Sequence, residues 1–244
     1  MALFCFFVRY VIIFTNYFSR KDFNMNWLNK LERKFGRYAI SNLMYYVIGA
    51  TMVAYMVQSI LNVPIYKYLA FVPSLIMEGQ VWRIITFIFI PPSASIITIA
   101  FVMYFYYMVG STLENEWGAF KFNMYYLFGM IGTIIAAFIT GMGTSVYLNL
   151  SLFLGFAYLF PHVEILLFFL IPVKIKYLAY LNWAYFIFSL LFGSMGIRVA
   201  TIVSLINFFI FFGNDFIDYM KNQKRYGATR RNFRREMKKY NKHK

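Results

Sequence analysis

The sequence predicts an all-α fold: a polytopic membrane protein whose six-helix transmembrane bundle carries an interfacial loop between helices 1 and 2. Three observations point there. Of the 244 residues, 61% are hydrophobic and 14% charged, whereas a soluble domain is about half apolar and a quarter charged. The excess falls into runs of about 20 residues, the length that crosses a hydrocarbon core about 30 Å thick. Cations gather at the two flanks of these runs rather than along them. A large soluble core would need polar helix faces, and most of the runs lack one.

The elements follow in chain order. Residues 1–24 are apolar as far as Ser19 but interrupted by Arg9 and Asn16. They read as a leader or residues upstream of a start at Met25, as an interfacial helix, or as a seventh span. No A-x-A-like cleavage site precedes Met25, which speaks against a secretory signal. Residues 25–37 are a basic, amphipathic lead-in. The six spans are expected within residues 38–220, the first over Tyr38 to Leu61. Residues 62–94 hold Pro64, Pro73, Pro91 and Pro92 with Glu78 and Arg83. They are too interrupted to span and too apolar for a solvated loop, so they are expected to lie at the membrane interface. The second span is expected over Ser95 to Thr112, with a polar turn from Leu113 to Lys121, and the third over Phe122 to Thr140. Gly141 to Thr144 form a tight connection. The fourth span runs from Ser145 to Phe160 and stops at Pro161. An apolar stretch broken by Pro172 separates it from the fifth, Tyr177 to Phe192. The sixth runs from Ile197 to Met220, and residues 221–244 are a basic tail.

The formal net charge is +15, and its placement sets the orientation. Residues 221–244 hold eleven Lys or Arg against Glu236, and residues 20–37 hold six against Asp22 and Glu32. Basic flanks mark the cytoplasmic side of a span, and six spans put both flanks there. The same charges attract anionic lipid, at roughly 1 kcal/mol per residue near the surface, so lipid rather than nucleic acid is the expected partner of the tail. The single cysteine, Cys5, excludes an internal disulfide, and the two histidines, His162 and His243, form no metal cluster. No cofactor is expected. A transporter or channel is disfavoured because the spans hold almost no ionisable group: Arg198 sits at an outer edge, and Asp215 and Asp218 at an inner end.

Three motifs remain. The loop contains Gly79-Gln80-Val81-Trp82-Arg83-Ile84-Ile85-Thr86. The second span ends in Gly110-x-x-Leu113-Glu114-x-x-Trp117-Gly118, followed by Phe122 and Tyr126. Between the fourth and fifth spans stands Ile171-Pro172-Val173-Lys174. Together, in this order and over residues 40–215, they resemble the rhomboid superfamily of six-helix membrane proteins. The chain is similar in its Trp-Arg loop element, in a G-x-x-L-E pattern closing helix 2, and in an I-P-V-K stretch before helix 5. Physically, Trp82 and Arg83 suit anchoring and hydrogen bonding at headgroup depth. Glu114 is expected to tie the turn between the second and third spans, Gly118 to make that turn tight, and Gly129 with Gly132 to let helices approach.

The resemblance implies intramembrane serine proteolysis only if a dyad is present. Active rhomboids place a serine in G-x-S-G at the start of helix 4 and a histidine in helix 6, because a serine hydroxyl needs a base to become a nucleophile. Ser151 occupies the serine position, but Asn149 and Leu152 replace both glycines, and Thr201 stands where the histidine is required. His162 lies about eleven residues, or roughly 16 Å, from Ser151 along the helix. The stretch Tyr147 to Pro161 also looks like that of the derlins, rhomboid pseudoproteases that handle membrane or misfolded proteins. The expectation is therefore a non-catalytic protein that binds transmembrane clients, with Asn149, Ser151 and Asn207 as candidates for a polar interior cavity. A divergent protease with Ser151 as nucleophile is the alternative.

Overall fold

The computed structural model describes residues 26–92, 95–141, 143–167 and 171–213. The leader over residues 1–24, the last turns of the sixth span with Asp215 and Asp218, and the basic tail lie outside the described residues.

The lead-in folds as helix α1 (Asn26–Phe35), followed by a 3-10 turn at Gly36–Tyr38. The remaining helices are α2 (Leu43–Leu61), the short helices α3 (Ile65–Leu69), α4 (Pro73–Met77) and α5 (Arg83–Thr86), then α6 (Ile96–Trp117), α7 (Ala119–Thr140), α8 (Val146–Leu159), α9 (Ile175–Phe192) and α10 (Met195–Gly213). Five of these, α2, α6, α7, α9 and α10, are long and apolar enough to cross a membrane. Helix α8 is equally apolar, but its 14 residues make only about 21 Å. Ten of those residues are buried. It is the centre of the bundle, with α6, α7 and α9 packed on it.

Several boundaries differ from the expected ones. The first long helix starts at Leu43 rather than Tyr38, because Asn42 takes a left-handed conformation (φ 57°) ahead of it. Helix α6 continues through the polar residues to Trp117, and the turn shrinks to Gly118 (φ 84°). Those polar residues are compatible with helix, and Leu113 and Trp117, which flank them, are buried. The apolar stretch after α8 is a β-hairpin, β1 (Glu164–Leu167) with β2 (Ile171–Lys174), so the fold is not wholly helical. Its antiparallel register pairs Glu164 with Lys174 and Leu166 with Pro172.

Two ends of the bundle can be told apart. At one end α1 lies against α7: Lys121 pairs with Glu32 at 3.6 Å, and Trp27 meets Phe128 and Phe211 edge-on at about 6 Å. Here Trp117, Tyr125, Tyr158, Phe208 and Phe212 fill the interior with rings. At the other end the segment 62–92 folds over the helices. Its Phe71 and Phe87 are fully buried and meet edge-on, and Phe71 O accepts from Gly143 N at 3.3 Å, tying the segment to the α7–α8 connection. A side chain at Gly143 would press on Ala137 and Phe71, which is why glycine stands there.

Candidate functional site

The Trp-Arg element solves a specific problem. A helix leaves its last carbonyls without partners, and α3 is too short to bury them in packing. Arg83 Nη2 donates to Lys67 O at 2.7 Å and Nη1 to Ala70 O at 2.8 Å. Trp82 Nε1 donates to Tyr68 O at 3.3 Å, and Thr86 Oγ1 to Leu69 O at 3.2 Å. The four carbonyls at the end of α3 are thus all met by side chains from one turn of sequence. Arg83 is buried, and its Nε donates to Gln80 Oε1 at 2.8 Å. The cation therefore spends its hydrogen bonds on neutral acceptors and shapes the loop.

Glu114 has a different task from the one expected. Its carboxylate accepts the backbone N–H of Asn42 and, at 3.2 Å, that of Leu43. It caps the N-terminus of α2, where an anion also complements the helix dipole. Gly110 lets α2 and α6 meet, since a Cβ there would fall inside the Met44 side chain. Gly118 accommodates the α6–α7 turn, its N–H donating to Glu114 O at 2.8 Å. Gly129 packs tightly on Asn207 and Leu148, and at Gly132 a Cβ would clash with Val203. Lys174 forms a cross-strand ion pair with Glu164 at 3.6 Å, and Pro172 sits exposed in β2.

The interior polar residues separate into two groups. Ser151 is fully buried, and its hydroxyl lies 2.7 Å from that of Tyr125, which also reaches Ser151 O at 2.8 Å. Asn207 Nδ2 donates to Tyr125 O at 3.4 Å. Ser151 and Asn207 thus meet through Tyr125, in packed interior. Thr201 is elsewhere. Its hydroxyl donates to Ile197 O at 2.7 Å, and its interhelical neighbour is Tyr147, one turn before Ser151. Ser204 Oγ donates to Tyr147 O at 2.6 Å. No hydrogen bond joins Ser151 to Thr201 among the described residues. Asn149 belongs to neither cluster, so the three candidate cavity residues do not line one space.

Asn149 instead lines a groove of about 360 Å³ between α6 and α9, floored by α8. Phe105 and Tyr106 form one wall, and Leu178, Asn182 and Tyr185 the other. Asn182 Nδ2 donates to Leu150 O at 3.0 Å, and Tyr185 OH lies 3.3 Å from Tyr147 OH. The Asn149 amide hydrogen-bonds the Tyr106 side chain, but among the described residues both amides keep a buried oxygen without a partner: Asn149 Oδ1 and Asn182 Oδ1. Ile165 of β1 closes one end. The sequence reading missed Asn182, although a lone amide inside an apolar span points to an interior face. Leu178, Leu181, Asn182 and Tyr185 fall at helical spacing on that face.

No curated protein matches the chain. A family model described as eukaryotic integral membrane protein (DUF1751) matches residues 45–213. That span runs from the first turn of α2 to the last described residue of α10, taking in the capped loop, the glycine contacts and the groove. The chain therefore belongs to this family of eukaryotic integral membrane proteins.

Proposed function

We propose that the protein is a non-catalytic, rhomboid-like membrane protein that holds transmembrane segments of other proteins against the α6–α9 groove. The observation that carries this is the pair of unpartnered buried oxygens, Asn149 Oδ1 and Asn182 Oδ1, in an otherwise apolar lateral groove. An unmet buried acceptor costs about 1–3 kcal/mol, and lipid tails offer no donor. A client helix lying over the groove would supply hydroxyl or amide donors from Ser, Thr, Asn or Gln. In this reading α8 completes six spans, both basic flanks face the cytoplasm, and the tail rests on anionic lipid.

Proteolysis is not part of the reading. The Ser151 hydroxyl is occupied by Tyr125, and the Thr201 hydroxyl by its own helix. The neighbours are phenols, hydroxyls and amides, none of which is a base at neutral pH.

The test is photo-crosslinking in native membranes with a photoreactive residue at Leu181. We expect protein adducts that fall at least severalfold in the Asn149→Leu, Asn182→Leu double variant. Adducts to lipid alone, or protein adducts indifferent to the double change, would sink the client reading. A fluorophosphonate probe that labels the wild type but not Ser151→Ala would instead establish the protease.

A further inference from the structure

A second recess, about 510 Å³, opens between α2 and α7 on the flank that carries the lead-in. It shares no lining residue with the α6–α9 groove. Phe120 and Met130 lie along its wall on α7, ten residues or about 15 Å apart. Ile88, from the loop, is buried and also lines it. The recess is elongated and nearly apolar, and it lies between two helices long enough to cross a membrane.

Its mouth is cationic. Phe35 and Tyr38 form the rim at the lead-in end. Lys34 Nζ stands 5.3 Å from the Phe35 ring, and the Arg37 guanidinium 4.7 Å from the Tyr38 ring, where it also donates to Tyr38 OH at 2.6 Å. The acid nearest in sequence, Glu32, is engaged by Lys121. Asn123 Nδ2 donates to Ile40 O at 3.1 Å, and among the described residues two lining residues carry buried polar atoms without partners: Asn123 Oδ1 and Tyr126 OH. A filled recess of pure hydrocarbon would leave both unmet, at a cost.

We infer that this recess is a binding site for one anionic phospholipid, with an acyl chain along α7 and the headgroup at Lys34 and Arg37. The chemistry matches at each level. The methylene chain takes the apolar wall. An ester carbonyl accepts from Tyr126 OH, and a headgroup amine or hydroxyl donates to Asn123 Oδ1. The phosphate meets the two cations, of which arginine can bind it bidentately. A phospholipid brings its phosphate to that mouth in a fixed relation to its acyl chain, which the apolar core of a transmembrane segment does not. The inference does not depend on client binding or on the α6–α9 groove.

The experiment uses the full chain in vesicles doped with phosphatidylserine or phosphatidylcholine that carry the same photoreactive acyl chain. Labelled peptides are read by mass spectrometry. The peptide over 120–130 should take the phosphatidylserine probe at least about fivefold over phosphatidylcholine, the factor that even one surface cation gives an anionic headgroup at about 1 kcal/mol. Lys34→Gln with Arg37→Gln, both on exposed side chains, should reduce the serine-lipid labelling to the phosphatidylcholine level and leave labelling of α9 unchanged. Leu127→Trp should fill the recess and lower labelling by both lipids. Equal labelling by the two lipids, or a ratio unmoved by the charge changes, would reduce the recess to ordinary lipid contact and overturn the site. A crosslinked protein at 120–130 in place of lipid would overturn it as well.

Discussion

Arg83 shows how a residue can be visible in a sequence while its task is hidden. A tryptophan and an arginine side by side in a loop full of prolines suggest interfacial anchoring, and Trp82 is indeed half exposed. The acceptors, however, are carbonyls from Lys67 to Ala70, brought within reach only by the fold of the loop. Replacing Arg83 with Met leaves three acceptors unmet, two of them backbone carbonyls at a helix end. The expected loss is about 2–3 kcal/mol, read as a lower thermal midpoint in mild detergent. Arg83→Lys should recover little of it, because one ammonium cannot reproduce the planar fork. Glu114 was likewise legible as a buried-end carboxylate needing a partner. That the partner is the start of α2, some seventy residues earlier, belongs to tertiary structure. Glu114→Ala should cost about 1–2 kcal/mol, in the range of a lost N-cap, and Glu114→Gln less, since an acceptor oxygen remains. Ser151, Thr201, Asn149 and Asn207 were legible as polar residues in apolar spans. Which of them meet was not, because a helical turn of register decides it.

At the scale of elements, apolar length and glycine spacing carried most of the information. Within the described residues, the long helices were read within about five residues of their observed ends, the largest errors falling at Asn42, whose left-handed backbone delays α2, and from Leu113 to Trp117, where the helix continues through polar residues. The hairpin was missed because its strands are short and Pro172 looks like a break. An edge strand in a two-stranded sheet tolerates proline, since one face of its ladder is unpaired. Gly110 was legible only as part of a motif, and the structure supplies the reason for it in Met44. Gly110→Ala should destabilise by about 1–3 kcal/mol, as overpacking does. Met44→Ala costs stability alone but should restore part of the loss in the Gly110→Ala background. A thermal-unfolding double-mutant cycle measures that coupling, and additive effects would mean that α2 and α6 do not meet at this pair.

For the whole molecule, the charge flanks and the capped segment 62–92 make one topological statement. A glycosylation acceptor inserted after Asn62 and another appended after Lys244 should report opposite sides of the membrane, with the second sharing the side of Lys30. Modification of both, or of neither, would contradict six crossings. The membrane character, the long helices and their order were legible because hydrophobic length is a local property. The two recesses were not, because each is formed by helices far apart in sequence. Helix α8 has a consequence for how the chain is made. It is about 21 Å long, carries Asn149 and Ser151, and buries ten of its fourteen residues against its neighbours. Such a segment has a weak claim on the bilayer while it leaves the ribosome. We expect it to gain one when the later helix α9 joins α6 and α7 around it. A nascent chain ending just after His162 should therefore leave α8 uninserted, on the side where it begins, and extension through Gly213 should draw it in. A reporter at His162 should change sides between the two lengths if α8 inserts late and cooperatively; the same side at both lengths would mean that α8 inserts by itself.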